Sequence, residues 1–196
     1  MFAFTPCAAE GCGLPVLTGS DSCALHCGDP AFETDRILAL IAGEAIVKDL
    51  NAAGLFFNES DFSSKRFYGC SFTGSTFSLC LFTGSLFRMS FLDFSSFADC
   101  DFSRSDIMYS SFAGSRFKDS TFESSELVHV NYCGCDISEC TFNDSNLYNS
   151  RFIGAQLRSA DFIDCNIKKT FFVKARQERV SFKSSNTAEA IFDVEL

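Results

Sequence analysis

Ser110-Ser111-Phe112-Ala113-Gly114-Ser115-Arg116-Phe117-Lys118-Asp119-Ser120-Thr121-Phe122 sets a phenylalanine at every fifth residue. The spacing runs far beyond this stretch. Of the 28 positions 57, 62, 67 and onward to 192, Phe fills 18 and Leu, Ile or Tyr another 8, leaving only Gln177 and Thr187 polar. Two residues before each centre, from Ser60 to Ala175, stands Ser, Cys, Ala or Thr, with Lys65 and Val130 as exceptions. A helix repeats about every 3.6 residues and a strand about every 2, so neither makes this pattern. A strict short period held over more than a hundred residues predicts a solenoid, in which each unit buries its apolar face by stacking on its neighbours. The recurring rings are then an axial core, and the small residues share the space between them. Burying one such ring contributes about 1.5–3 kcal/mol before entropy. A larger residue at a small position overpacks the rod.

Segments such as Ser110 to Gly114 and Ala160-Asp161-Phe162-Ile163-Asp164 resemble the unit of the pentapeptide repeat family, small–polar–Phe/Leu–polar–variable. The resemblance covers roughly residues 55–192. It implies an all-β fold, a right-handed quadrilateral parallel β-helix with four quintets per coil. At the spacing of paired strands, about 4.8 Å, about seven coils make a rod on the order of 30–35 Å long. The expected organisation is a Cys/His-rich segment at 1–29, a capping helix at 30–52 and the β-helix at 53–196. Some relatives protect or inhibit DNA gyrase through an acidic rod that imitates duplex DNA, and those that protect gyrase dimerise through their C-terminal ends. The resemblance therefore implies gyrase or topoisomerase as one candidate partner. It also makes the apolar Ala190-Ile191-Phe192 and Val194 either a homodimer contact or a terminal cap.

The chain carries 16 Lys and Arg against 25 Asp and Glu, a formal net charge of −9. That argues against a general nucleic-acid binder, which needs a basic face, and disfavours anionic membranes. The first basic residue is Arg36, no long apolar run precedes it, and no stretch is long enough to span a bilayer. The expected location is cytoplasmic. Eleven cysteines suggest a secreted disulfide scaffold, but Cys70, Cys80, Cys100, Cys135, Cys140 and Cys165 all fall at the small inward position. There a free Cys packs as a small hydrophobe. Cys80 and Cys100 lie one coil apart in one column, and a reduced pair is the expectation. Cys133 follows a centre and points outward.

The non-repeating start spaces Cys7, Cys12, Cys23 and His26 as Cys-x4-Cys-x10-Cys-x2-His, with Gly11, Gly13, Pro15 and Gly19 as turn formers. This fits a tetrahedral structural zinc site and resembles short zinc knuckles; Cys27 is an alternative fourth ligand. Thirty residues with so few apolar side chains form no core unaided. Asp29-Pro30 reads as a helix start, and Ile37, Leu38, Ile41, Ala45 and Leu50 recur at helical spacing to about Leu50. Knuckle and helix together read as an end cap, with an independent recognition module as the alternative.

Residues twenty apart share a face. One face gathers Tyr68, Met89, Met108, Tyr109, Val128, His129 and Tyr148, a composition typical of interface cores. Another carries Asp61, Asp101, Glu123, Asp144, Asp161 and Asp164 against Arg104 and Lys183. Gly54, Gly74, Gly114, Gly134 and Gly154 line a corner that calls for positive φ, broken by Phe94. Phe91 and Phe94 should both face outward, either through a bulge or as a second contact point. There is no phosphate loop, His-Glu-x-x-His or nucleophile elbow, and the acid pairs sit on a convex wall with no cleft. The sequence thus points to a non-enzymatic protein-binding scaffold docking through the Tyr/Met wall, with a DNA-mimicking modulator of gyrase as the alternative.

Overall fold

A computed structural model describes residues 5–193. From Ile46 onward each quintet forms one side of a square coil, and successive coils stack in parallel with a shift of twenty residues. Four walls result. The first holds the strands Ile46–Lys48, Arg66–Tyr68, Leu86–Arg88, Asp106–Met108 and Glu126–Val128 as a five-stranded parallel sheet. The third is a seven-stranded parallel sheet from Phe56–Asn58 to Arg176–Glu178. The second and fourth pair through single bridges, such as Phe91↔Ser111 and Asp101↔Thr121. The register never slips.

The rings meet on the axis. Phe82, Phe102, Phe122, Phe142 and Phe162 are buried, and successive rings stack at 4.3, 4.7, 4.8 and 4.7 Å between centroids. That rise matches the spacing of paired strands. Neighbouring columns meet edge to face, as Phe97 meets Phe112 at 71°, the arrangement that ring quadrupoles favour. Gln177 and Thr187, the polar centres, are both exposed at the C-terminal end of the rod. Phe182 and Phe192 there still stack on Phe162 and Phe172 at 5.2 Å. Ala190, Ile191 and Phe192 thus continue the second wall; Val194 lies outside the described residues.

The small inward residue does more than fill space. Ser95 Oγ donates to the Phe72 carbonyl (2.9 Å) and accepts from the Ser75 N–H (3.2 Å). Ser115 repeats this one coil on, with the Leu92 carbonyl and the Ser95 N–H. At Cys135 and Cys165 the thiol donates to the Phe112 and Phe142 carbonyls, each at 3.0 Å. These contacts satisfy corner carbonyls that face the core, where an unpaired group is costly. No disulfide joins the described cysteines. Burial pushes the Cys70 and Cys165 thiols up to about 11 and those of Cys135 and Cys140 to about 12.

The corner residue two after each centre has positive φ all along the rod, from Asp49 to Ser184, and most of these residues are not glycine. At Gly114 glycine is demanded by contact as well as by φ, since a Cβ there would meet the exposed Phe94 ring at 2.7 Å, whereas Gly74, Gly134 and Gly154 have open space around them. Phe91 and Phe94 do face outward, 40% and 73% exposed, with no bulge.

The N-terminal helix α1 spans Pro30–Gly43, shorter than the 30–52 read from the sequence. Asp29 caps it, accepting from the Ala31 and Phe32 N–H groups. Ala45 and Leu50 belong to the first coil instead, because strand Ile46–Lys48 already pairs with Arg66–Tyr68. The rod therefore begins before residue 53. Ile37 and Ile41 join the same core as Val47, Leu55 and Phe57. Lys65, the charged exception at a small position, donates from Nζ to the carbonyls of Ile41, Ala42 and Glu44 at 2.8, 3.0 and 2.8 Å. A cation thus closes the helix C-terminus, where free carbonyls and the dipole favour it.

Candidate functional site

Two parts of the molecule concentrate chemistry. The first is the N-terminal knuckle. A turn closed by Cys12 N–H on the Ala9 carbonyl, with Gly11 and Gly13 at positive φ, brings Cys12 back towards Cys7. A helical turn from Cys23 presents His26. The ligand atoms of Cys7, Cys12, Cys23 and His26 all lie within 4.8 Å of one another. Cys12 Sγ stands 3.7 Å from Cys23 Sγ, and His26 Nδ1 stands 3.7 and 3.4 Å from the sulfurs of Cys7 and Cys23. Zn–S and Zn–N bonds of about 2.3 and 2.0 Å imply tetrahedral edges of about 3.5–3.8 Å. The four residues are thus close enough to hold a metal, and their donor set suits a closed structural site. Backbone hydrogen bonds at Ala9 and Cys23 hold the Cys7 thiol down to about 6, favouring a thiolate ligand. Cys27 stands apart: its thiol donates to the Ala24 carbonyl, and burial pushes it up.

The knuckle is docked on the rod. Thr18 N–H donates to the Asn51 carbonyl (2.9 Å), Asn51 N–H returns to Thr18 Oγ1 (2.7 Å), and Asn51 Nδ2 donates to the Val16 carbonyl (2.7 Å). Leu17 is fully buried in the common core. The contact covers the top of the second wall, where Ala24 Cβ abuts Gly54.

The second part is the edge between the first and second walls, left open below the knuckle. Met89 and Tyr109 are 60% and 59% exposed there, while Tyr68, Met108, Val128 and Tyr148 are half-buried between their neighbours. The Tyr109 and His129 rings stack at 4.9 Å and 12°. Tyr148 meets His129 edge-on, and Asn149 Nδ2 lies 2.8 Å from His129 Nδ1. Below Glu126–Val128 the first wall gives up its strands. Asn146 and Asn166 Oδ1 accept from the N–H two residues on, at Tyr148 and Lys168, closing the local turns that Asn favours. An open groove of about 690 Å³ runs along this edge, lined by Phe91, Tyr109, His129, Arg151, Ile153 and Phe171 among others.

Half of this groove escapes a reading by columns of large side chains, because the second wall looks like turn filler in sequence. Its outward residues from Ala53 to Val173 are mostly Ser, Thr, Ala, Asn and Gly, with Asp93 and Arg151 the only charges before Lys174. Its significance is its low charge in a strongly acidic chain. The fourth wall, opposite, carries Asp61, Asp101, Glu123, Asp144, Asp161 and Asp164. Hydrogen bonds from Ser63 and from Ser103 with Thr83 hold the Asp61 and Asp101 carboxyls below the usual range, despite the burial of Asp101. Among the described residues no helix is long and apolar enough to cross a membrane.

Comparison with known proteins agrees with this architecture. The family of the pentapeptide repeat region matches residues 115–192. Among solved structures, a trypsin-treated variant of QnrB1, a plasmid-mediated fluoroquinolone resistance protein, is similar with a TM-score of 0.58 at 16% identity, covering 75% of this chain and 78% of that one. A second trypsin-treated QnrB1 variant gives 0.53 at 16% identity, covering 72% and 78%. Rfr23, a pentapeptide repeat protein from the cyanobacterium Cyanothece 51142, gives 0.43 at 11% identity, covering 82% and 99%. No curated protein matches the sequence.

Proposed function

We propose that this chain, whose rod is a pentapeptide repeat β-helix, is a non-enzymatic docking scaffold that receives a protein partner along the edge between its first and second walls. The observation that carries this reading is the clustering of the exposed Met89, Tyr109, Phe91 and Phe94 on one side of the rod, beside the half-buried Tyr68, Met108 and Tyr148. Contiguous apolar surface of this kind marks interfaces, and aromatic and Met side chains supply interface cores. Tyr109→Glu with Tyr148→Glu places two charges on the edge without touching the axial core. The variant should melt like the parent and lose a partner that the parent pulls down from native lysate. A partner retained in full would remove the edge from consideration.

In the same reading the Cys7, Cys12, Cys23 and His26 cluster holds one structural zinc. All four positions come from protein, so the ion would supply cross-linking rather than chemistry. Protein purified without added metal should carry close to one zinc per chain, and Cys12→Ser should carry none. Full folding of a metal-free chain, with knuckle amides as protected as in the parent, would contradict it.

One observation favours a second reading. The acidic fourth wall, on a fold shared with a fluoroquinolone resistance protein, suits a DNA-mimicking modulator of gyrase. Arg104 and Lys183 on the same wall reduce its charge, and the docking edge remains the better-supported surface.

A further inference from the structure

The docking edge carries a charge anomaly. The chain has 25 acids to 16 Lys and Arg, yet the C-terminal half of this edge is basic. Arg151 lines the groove. It bridges to Phe171 on the next rung, and Lys169 and Lys174 flank that rung in sequence. All three cations are exposed. Among the described residues none of them forms an ion pair; Lys169 Nζ reaches only the Tyr148 hydroxyl, at 3.3 Å, and the face of its ring. The nearby acids are engaged elsewhere. Glu126 accepts from Asn146 Nδ2, Asp93 accepts from the Ala113 N–H and Ser111 Oγ, and Glu189 pairs with Lys168. Among the described residues, Asp193, one coil below Val173, is the exposed acid left at this end of the second wall. Unpaired like charges on adjacent rungs repel within a Debye length of about 8–10 Å, and an anionic ligand relieves that repulsion.

We infer that the segment received along this edge is an extended acidic polypeptide. It lays apolar side chains against Phe91 and Tyr109 and carboxylates against Arg151 and Lys169, with Lys174 at the far corner of the same wall. The inference rests on the docking reading and adds the chemistry of the partner. The groove follows the rod axis across rungs about 4.8 Å apart, a path that suits an extended chain. A nucleic-acid strand fits less well. His129 is already stacked on Tyr109 and abutted by Tyr148, so the ladder offers few free ring faces. The cations occupy one end rather than tracking a phosphate backbone.

The test is a random twelve-residue peptide display library selected against the full chain. The selected peptides should be enriched in Asp and Glu. Arg151→Glu with Lys169→Glu should weaken them at least about tenfold, and so should raising salt from about 50 to 300 mM. Both substitutions are on exposed side chains, and an unchanged melting profile confirms folding. Neutral apolar peptides that lose binding on Tyr109→Glu, yet bind the charge-reversed variant fully, would overturn the acidic assignment and leave the docking edge standing. Peptides indifferent to both variants would overturn the two together. Failure to select any peptide, or displacement of the peptides by an oligothymidine strand, would also defeat the inference.

Discussion

At position 132 the axial column carries a hydroxyl that it does not use. Tyr132 is fully buried, stacked on Phe112 at 5.3 Å and on Phe152 at 4.8 Å, and its oxygen has no hydrogen-bond partner. Burial pushes its pKa well above the ordinary tyrosine value, so the group stays neutral at any physiological pH. An unsatisfied buried hydroxyl costs about 1–3 kcal/mol. Tyr132→Phe should therefore raise stability by roughly 1 kcal/mol in urea denaturation, with an unchanged m-value. A loss of stability would mean that the hydroxyl is paired. The ring itself was legible in the sequence because each quintet sees the same surroundings, so a fivefold spacing reports burial directly. The serine bridges were not: Ser, Cys and Ala read alike as small residues, and only the stacking of coils shows Ser115 Oγ reaching the Leu92 carbonyl.

At the scale of elements, the junction between α1 and the rod was the least legible part. Helical spacing from Ile37 to Leu50 continues through the true helix end, because Val47 and Leu50 are also apolar for the first coil. The helix ends at Gly43 because strand Ile46–Lys48 is claimed by Arg66–Tyr68, and a residue distant in sequence, Lys65, caps the carbonyls of Ile41, Ala42 and Glu44. The sequence flagged Lys65 as an exception without giving its reason. Lys65→Ser restores the small residue of the repeat but removes three charge-assisted bonds. It should destabilise α1 by about 1–2 kcal/mol, seen as faster amide exchange at residues 37–43 with rod amides beyond residue 86 unaffected. Equal protection of α1 in both proteins would show that packing of Ile37 and Ile41 alone holds the helix. In the knuckle, spacing allowed His26 or Cys27, and the turn after Cys23 brings His26 into the cluster.

Across the whole molecule the rod is polarised. A sparsely charged second wall with a basic lower edge stands opposite an acidic fourth wall, and a net charge of −9 hides the difference. The outward placement of Met89 and Tyr109 was legible because large side chains off the fivefold centres stand out in the sequence. The sparsely charged wall beside them was not, since its Ser, Asn and Gly residues acquire meaning only when the coils align them. The two functional readings use opposite walls, which makes them separable in one experiment. A photo-crosslinking residue is placed at Ile153, on the docking edge, or at Asp144, on the acidic wall, and irradiated in native lysate. The docking account predicts a discrete adduct from position 153 and none from position 144. An adduct from position 144 alone would contradict it.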